Sequence, residues 1–264
     1  MTSDASGRAI AKARPALGLA AGAMLRPFFG FAASLKWVWG MTTVLPTLSC
    51  EVAIVGAGPA GLMAAQRLAE QGRQVLVLDG KATAGRKFLL AGKGGMNLTH
   101  SEDLAHFVAR YGCASAWLAP LLQDFGPSAL RAWAQDLGIA TFVGSSGRVF
   151  PSDMKAAPLL RTWLVRLRSL GVRFAMRHQW QGWNHAGQPC FATAQGTQPV
   201  QAKALVLALG GGSWPQLGSD GTWQALLAGQ GVVLQPLQPA NCGFDVQGRD
   251  GRGCGIRLPA MPAP

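Results

Sequence analysis

The sequence predicts an α/β fold built around a largely parallel sheet, and three consecutive features support this prediction. An apolar run at Val52–Val55 suits a strand that is buried on both faces. A glycine-rich turn follows, and then a segment with the amphipathic period of a helix, including Leu62 and Ala65. A second apolar run, Gln74–Leu78, ends in Asp79. Strand, helix and strand in this order form a βαβ unit, in which the two strands are parallel.

The turn of this unit carries a G-x-G-x-x-G pattern at Gly56, Gly58 and Gly61. The first glycine permits the tight turn, the second lets the backbone approach a pyrophosphate, and the third lets helix and strand pack closely. Pro59 suits a first helical turn, whose free N–H groups and dipole attract a pyrophosphate. Asp79 is placed to accept hydrogen bonds from the hydroxyls of an adenosine ribose. The unit predicts a dinucleotide site without separating NAD from FAD, and a βαβ unit without a ligand is the alternative.

Composition narrows the class of protein. The 264 residues carry a formal charge of +12, which raises the question of nucleic-acid binding. The basic residues are dispersed rather than clustered, so we expect a diffuse positive field and no specific nucleic-acid partner. Five cysteines without a C-x-x-C pair and four scattered histidines predict no metal site and a reducing, cytoplasmic location.

Residues 1–48 differ from the rest of the chain. They combine basic side chains with an Ala/Gly/Leu run from Ala16 to Leu25, which resembles a signal peptide and is too short to span a bilayer. Because the nucleotide-binding unit begins at Glu51, we expect an upstream extension that is disordered or loosely helical, without stable membrane insertion. A membrane-associated helix is the alternative.

The segment after Asp79 is a glycine-rich, basic stretch that runs from Gly80 to Asn97. Arg86 and Lys87 could pair with phosphate oxygens, and glycines such as Gly94 leave room for a flat ring system. We therefore predict a loop that approaches an anionic, planar ligand. A flexible surface loop is the alternative.

The second half of the chain changes its period. Residues 103–170 are predicted to be mainly helical, and from Val172 an alternation with a period of two predicts an antiparallel meander. The apolar run Ala204–Leu209 then predicts another strand of the parallel sheet. It ends in Gly210-Gly211-Gly212, where a long cofactor would be approached a second time, at the open edge of the sheet.

Four motifs carry a resemblance to a known family: VGAGPAG at 55–61, GRKFLLAGKGGMNLTH at 85–100, GRVFP at 147–151 and LALGGGSWPQLGSDG at 207–221. The chain resembles the HI0933-like (YhiN/BaiN-type, aminoacetone-oxidase-like) NAD(P)/FAD-dependent oxidoreductases. The resemblance implies a Rossmann-like FAD-binding domain of the glutathione-reductase type, with a parallel sheet and an antiparallel meander, over residues 49–234. It favours FAD over NAD as the tightly bound cofactor.

The resemblance also implies which residues bind the cofactor. They are the pyrophosphate-binding Gly56, Gly58, Pro59, Ala60 and Gly61, the ribose-binding Asp79, the cofactor-lining Arg86, Lys87, Gly94 and Asn97, and Gly210 and Gly211 at the second approach.

Two features depart from the family pattern. Gly95-Met96 stands where many relatives have Arg-Cys. The family's C-terminal FAD segment is also missing, so residues 235–264 are expected to be the start of a truncated, inserted substrate domain.

The predicted function is that of an FAD-dependent oxidoreductase, which passes electrons from NAD(P)H or an organic substrate through the flavin to a small molecule. The sequence indicates no catalytic residue and no metal ligand. Two alternatives remain: a truncated, non-catalytic FAD- or ADP-binding fragment, and a tRNA-associated flavoprotein prompted by the charge of +12.

Overall fold

The computed structural model describes residues 43–90, 95–218 and 220–238, together with the backbone of two short strands at 246–247 and 253–254. Most of the predicted N-terminal extension, and most of the predicted inserted domain, lie outside these residues.

The described residues form eleven strands, seven α-helices and two short 3-10 helices, Gly112–Ala114 and Pro215–Leu217. The strands are β1 (Leu48–Val55), β2 (Val75–Asp79), β3 (Thr99–His100), β4 (Thr141–Val143), β5 (Arg148–Pro151), β6 (Arg173–Met176), β7 (Gln179–Trp183), β8 (Pro189–Thr193), β9 (Gly196–Leu207), β10 (Val246–Gln247) and β11 (Gly253–Cys254). The helices are α1 (Pro59–Glu70), α2 (Arg86–Leu90), α3 (Leu104–Ala109), α4 (Ser115–Asp124), α5 (Pro127–Asp136), α6 (Ala156–Ser169) and α7 (Trp223–Ala228). Within the described ranges, none of these helices combines the length and apolarity needed to cross a bilayer.

A six-stranded sheet in the order β6-β2-β1-β9-β8-β7 forms the centre of the fold. The first four strands are parallel neighbours, whereas β9, β8 and β7 are antiparallel. Strand β9 joins the two parts, because residues 196–199 pair with β8 and residues 200–207 pair with β1. Two small antiparallel sheets, β3-β5-β4 and β10-β11, complete the strand pairing. The predicted α/β fold, with a mostly parallel sheet and a meander, is confirmed.

The structure differs from the sequence prediction at the start of the meander. Strand β6 pairs in parallel with β2, so it is an edge of the parallel sheet and not a meander strand. Arg177 separates β6 from β7 with a left-handed backbone (φ 61°), and its N–H donates to the Lys81 carbonyl at 3.0 Å. The turn divides a stretch that alternates on both sides of it, so β6 pairs with β2 and β7 pairs with β8. The predicted loop after Asp79 also contains a short helix, α2.

The residues just before β1 lie against β9. Val44 forms a parallel bridge with Thr197, and the Leu45 N–H donates to the Thr197 carbonyl at 2.8 Å. Residues 43–48, which we assigned to the extension, therefore run along the sheet. The other domain limits remain predictions.

One face of the sheet is covered by helices. Ile54 of β1 and Val77 of β2 are fully buried there against Leu62 of α1 and against Leu159 and Leu167 of α6. Because successive side chains of a strand point to opposite faces, the neighbouring residues of β1 and β2 face the other way.

The opposite face of β1 and β2 packs against side chains of the meander. Ala53 and Leu78 are buried there in a second apolar cluster with Trp180, Phe191 and Val200. The sheet is thus buried on both faces, which explains why β1 and β2 are continuous apolar runs.

A buried glutamine links α1 to two other helices. Gln66 is 2% exposed, and its Oε1 accepts hydrogen bonds from the indole N–H of Trp163 at 2.7 Å and of Trp133 at 3.1 Å. Its Nε2 donates to Glu70 at 2.7 Å. Since α1 follows the glycine-rich turn, these bonds hold the helix of the predicted dinucleotide site against α5 and α6.

Candidate nucleotide-binding site

A cleft of about 410 Å³ lies where β1, β2 and β9 end and α1 begins. We call it the glycine cleft. Its walls come from the turn at residues 56–59, from Asp79 and the following segment up to Phe88, and from residues 208–210 and 217–218. The carboxyl ends of parallel strands are where open α/β sheets bind their ligands.

The three glycines of the turn have different surroundings. Gly56 has φ 107°, and a Cβ there would overlap the Ala208 carbonyl, so only glycine fits. A Cβ on Gly61 would overlap the carbonyl oxygen of Gly56, which explains how α1 packs so closely on the turn. Gly58 has ordinary extended backbone, and a Cβ there would meet nothing within 4 Å. Gly56 and Gly61 are therefore required by the fold, whereas Gly58 leaves space in the cleft.

The N-terminus of α1 has no protein cap. No side chain bonds to it, no acidic residue lies in its first turn, and Pro59 occupies the first helical position. The N–H groups of Ala60 and Gly61, which have no partner within the helix, therefore depend on an outside acceptor. With the helix dipole behind them, they favour an anion.

Asp79 is held against the glycine turn. The Ala57 N–H donates to its Oδ2, and the Lys81 N–H donates to its Oδ1, both at 2.7 Å. These bonds fix the carboxylate at the wall of the cleft. Each carboxylate oxygen still has a second lone pair, so both could accept a hydroxyl. The contact with a ribose remains a prediction.

Helix α2 supplies a basic wall. Arg86 and Lys87 both line the cleft, and the Gly85 N–H donates to the Ala57 carbonyl at 2.9 Å, which ties the start of α2 to the glycine turn. Lys87 Nζ donates to Ser213 Oγ at 2.6 Å. This bond joins α2 to the glycine-rich loop after β9, on the other side of the cleft.

A smaller cavity of about 70 Å³ adjoins the glycine cleft and shares Asp79 and Lys81 with it. Its other walls include His178 and Trp180 from the start of the meander, and Trp223 at the beginning of α7. An elongated ligand could therefore extend past Asp79 toward the meander.

The structure brings together seven of the predicted cofactor-binding residues around the glycine cleft: Gly56, Gly58, Pro59, Asp79, Arg86, Lys87 and Gly210. Four others do not line it, and Gly94 lies outside the described residues; the four are Ala60, Gly61, Asn97 and Gly211. Ala60 and Gly61 are nevertheless next to the cleft, in the first turn of α1. Asn97 has an exposed side chain, and its role stays a prediction.

Sequence reasoning missed several residues of the cleft, including Lys81, Thr83, Phe88 and Leu217. Lys81 could have been assigned to the site from sequence, since it lies two residues after Asp79, the acid that ends β2. Phe88 and Leu217 are apolar residues in glycine-rich segments, and nothing in their local pattern distinguishes them from core residues.

The α/β fold, with its βαβ unit and mostly parallel sheet, is that of a Rossmann-type FAD-binding domain. Residues 50–256 match the model of the family described as the HI0933-like protein Rossmann domain, so the chain belongs to the HI0933-like family. The resemblance found in the four motifs is thereby confirmed.

Two curated relatives are similar over much of the chain. The 3-dehydro-bile acid delta(4,6)-reductase of Clostridium scindens is 28% identical over 216 residues, which are 81% of this chain and 52% of that protein. The ribosomal RNA dihydrouridine synthase of Haemophilus influenzae is 29% identical over 175 residues, which are 64% of this chain and 42% of that protein. The chain thus spans about half the length of the curated relatives that it matches.

Among solved structures, the open conformation of a flavocytochrome c3 fumarate reductase superposes with a TM-score of 0.50 at 21% identity. The match covers 63% of this chain and 34% of that one. At this level of identity the likeness concerns the fold alone.

Proposed function

We propose that this chain is the cofactor-binding part of an FAD-dependent oxidoreductase. The observation that supports it best is the uncapped N-terminus of α1, which opens into a cleft beside the carboxylate of Asp79. In this proposal, the amides near Gly58 bind the pyrophosphate of FAD and Asp79 accepts the ribose hydroxyls. Gly210 then lines the second approach to the cofactor.

The charges around the cleft fit a dianionic group. Three cations line it, Lys81, Arg86 and Lys87, whereas Asp79 is the one carboxylate among its described lining residues. The carboxylate is already turned toward backbone N–H groups, so its repulsion of a phosphate is reduced. The open space at Gly58 also leaves room for a phosphate against the backbone.

The residues of the cleft would bind and orient the cofactor. When bound, the flavin would supply hydride and electron transfer. Apolar side chains such as Phe88, Leu209 and Leu217 would exclude water from the cleft. The relative named as a 3-dehydro-bile acid delta(4,6)-reductase supports a small organic substrate, and we propose NAD(P)H as the electron donor. The free thiols Cys50, Cys113 and Cys190 support a reducing, cytoplasmic location.

An anaerobic titration tests this proposal. The purified chain is mixed with FAD, FMN or riboflavin, and binding is followed by the quenching of flavin fluorescence. We expect tight binding of FAD alone, because only FAD has the adenosine that Asp79 would recognise. NADH or NADPH is then added, and bleaching of the visible flavin band reports reduction. Failure to bind FAD would contradict the proposal, whereas binding without reduction by either nucleotide would contradict NAD(P)H as the electron donor.

A second candidate function is a flavoprotein that acts on RNA. The chain carries a formal charge of +12 with only 12 acidic residues. One of its relatives is named as a ribosomal RNA dihydrouridine synthase. A salt-dependent RNA binding assay tests this candidate, since binding driven by phosphate contacts weakens steeply with ionic strength. The absence of binding at low salt would dismiss it.

A further inference from the structure

A second groove, of about 380 Å³, lies between helix α6 and the edge strand β6. We call it the basic groove. Arg161, Leu164 and Arg168 of α6 form one wall, and Phe174 and Met176 of β6 form the floor. It is separate from the walls of the glycine cleft that carry the predicted pyrophosphate and ribose contacts.

The basic groove lies in a part of the chain without acidic residues. Between Asp153 and Asp220 the sequence has seven Lys or Arg residues and no Asp or Glu. Some exposed cations elsewhere are neutralised, as in the ion pairs of Arg67 with Glu70 and of Lys203 with Glu51. Across the described ranges, no carboxylate lies within ion-pair distance of either groove arginine, so their charge is available to a ligand.

The two arginines are spaced for a ligand with repeated charges. Arg161 and Arg168 are seven residues apart, so they lie on the same side of α6, about 10 Å apart along its axis. A small organic acid with one carboxylate would neutralise only one of them. A chain of phosphodiesters would contact both.

The pair formed by Arg168 and Phe174 offers a stacking surface. The guanidinium carbon of Arg168 lies 5.5 Å from the ring centroid of Phe174, so a planar cation covers an aromatic ring inside an apolar groove. A positive groove that contains aromatic and guanidinium surfaces is the arrangement by which proteins bind single-stranded RNA. An acidic protein partner would bind through the charges of the arginines and would not need a stacking surface.

The basic groove meets the glycine cleft at one residue. Thr83 lines both, so a strand held in the groove would pass directly beside the cofactor site. We propose that the basic groove docks single-stranded RNA, with phosphates at Arg161 and Arg168 and a base at the Arg168–Phe174 pair. This inference rests on the second candidate function, and it identifies the surface that would bring RNA to the flavin.

The test measures binding of a short, fluorescein-labelled single-stranded RNA to the full chain over a range of salt concentrations. The variant Arg161→Gln/Arg168→Gln is compared with Arg148→Gln/Lys155→Gln, which removes the same charge from exposed side chains that have no ion pair within the described part of the chain and do not line the groove. FAD titration and far-UV circular dichroism of each variant show whether the fold and the glycine cleft are intact.

We expect the groove variant to bind RNA about tenfold more weakly, and the slope of log K against log salt to fall by about 1.4, which corresponds to two phosphate contacts. The control variant should keep most of the slope. Phe174→Leu should weaken binding without changing the slope, because it removes the ring that holds the Arg168 guanidinium in place for a base and leaves both charges.

Three results would overturn the inference. Equal losses in the groove and control variants would show that only the total charge matters. If polyglutamate or inorganic polyphosphate displaced the labelled RNA as effectively as unlabelled RNA does, the groove would be a site for polyanions in general. If the wild type binds no RNA at low salt, the second candidate function fails as well, whereas FAD binding in the same samples would leave the first proposal standing.

Discussion

Replacing Gln66 by leucine tests how the helix of the glycine cleft is held in place. Gln66 accepts two indole N–H bonds at once, from Trp163 of α6 and from Trp133 of α5. The rings of the two tryptophans also meet edge to face, with centroids 4.8 Å apart. Leucine is close to glutamine in volume but has no acceptor, so Gln66→Leu leaves both indole donors without a partner.

The cost follows from the burial of each donor. Trp163 is 2% exposed, so water cannot replace the lost acceptor, and an unsatisfied buried donor costs about 1–3 kcal/mol. Trp133 is half-buried and can turn toward water, which limits its cost to about 1 kcal/mol. We therefore expect Gln66→Leu to lower the free energy of unfolding by about 2–4 kcal/mol. For a domain of this size, that corresponds to about 5–15 °C in Tm.

The assay is urea denaturation followed by far-UV circular dichroism, because the substitution itself alters tryptophan fluorescence. Gln135→Leu, at an exposed position of α5, is the matched control and should change stability by less than about 0.5 kcal/mol. Trp163→Phe should lower the free energy of unfolding less in the Gln66→Leu background than in the wild type, because the indole N–H that it removes already has no acceptor in that background. Equal effects of the two leucine substitutions, or simple additivity with Trp163→Phe, would refute the reasoning.

Two further predictions concern α3 and the glycine turn. The Asp103 carboxylate is hydrogen-bonded to the ring of His106, which raises the pKa of that ring. The pKa of Asp103 is lowered, first by the hydrogen bond from the His106 backbone N–H and second by the hydrogen bond with the His106 ring. The stabilisation by this pair is therefore lost as the pH rises through the raised pKa of His106, and also as it falls through the lowered pKa of Asp103. In an NMR titration, Asp103→Asn should return the pKa of His106 toward its ordinary value; an unchanged pKa would contradict the assignment. Gly61→Ala should lower the thermal stability by several degrees, because its methyl group would overlap the Gly56 carbonyl, and an unchanged Tm would show that α1 does not pack this closely.

The βαβ unit could be predicted from the sequence because its signals are local. The apolar runs, the glycines and the helical period all lie within about thirty consecutive residues. The short helix α2 was missed, since its five residues are flanked by glycines that favour a loop. The parallel pairing of β6 was missed because the turn at Arg177 interrupts an alternation that continues on both sides.

The polar contacts of the site could not be predicted in the same way. The bond from Lys87 to Ser213 spans 126 residues, and the bond from Trp163 to Gln66 spans 97. Neither pair has a sequence signature, because each depends on how helices and loops meet in three dimensions. The basic groove is similar: nothing in the local sequence links Arg168 to Phe174, and the pairing of β6 with β2 places that ring beneath the guanidinium.

The dissociation constant of FAD for Gly58→Val tests the central claim most directly. Because Gly58 has extended backbone and free space around its Cβ position, the Gly58→Val variant should fold normally. Its valine side chain should fill the space proposed for the pyrophosphate. Loss of two charge-assisted hydrogen bonds would weaken FAD binding by about a hundredfold or more. The control variant Gly229→Val, at the end of α7, should bind FAD like the wild type. Wild-type affinity in a folded Gly58→Val variant would contradict a pyrophosphate site at the start of α1.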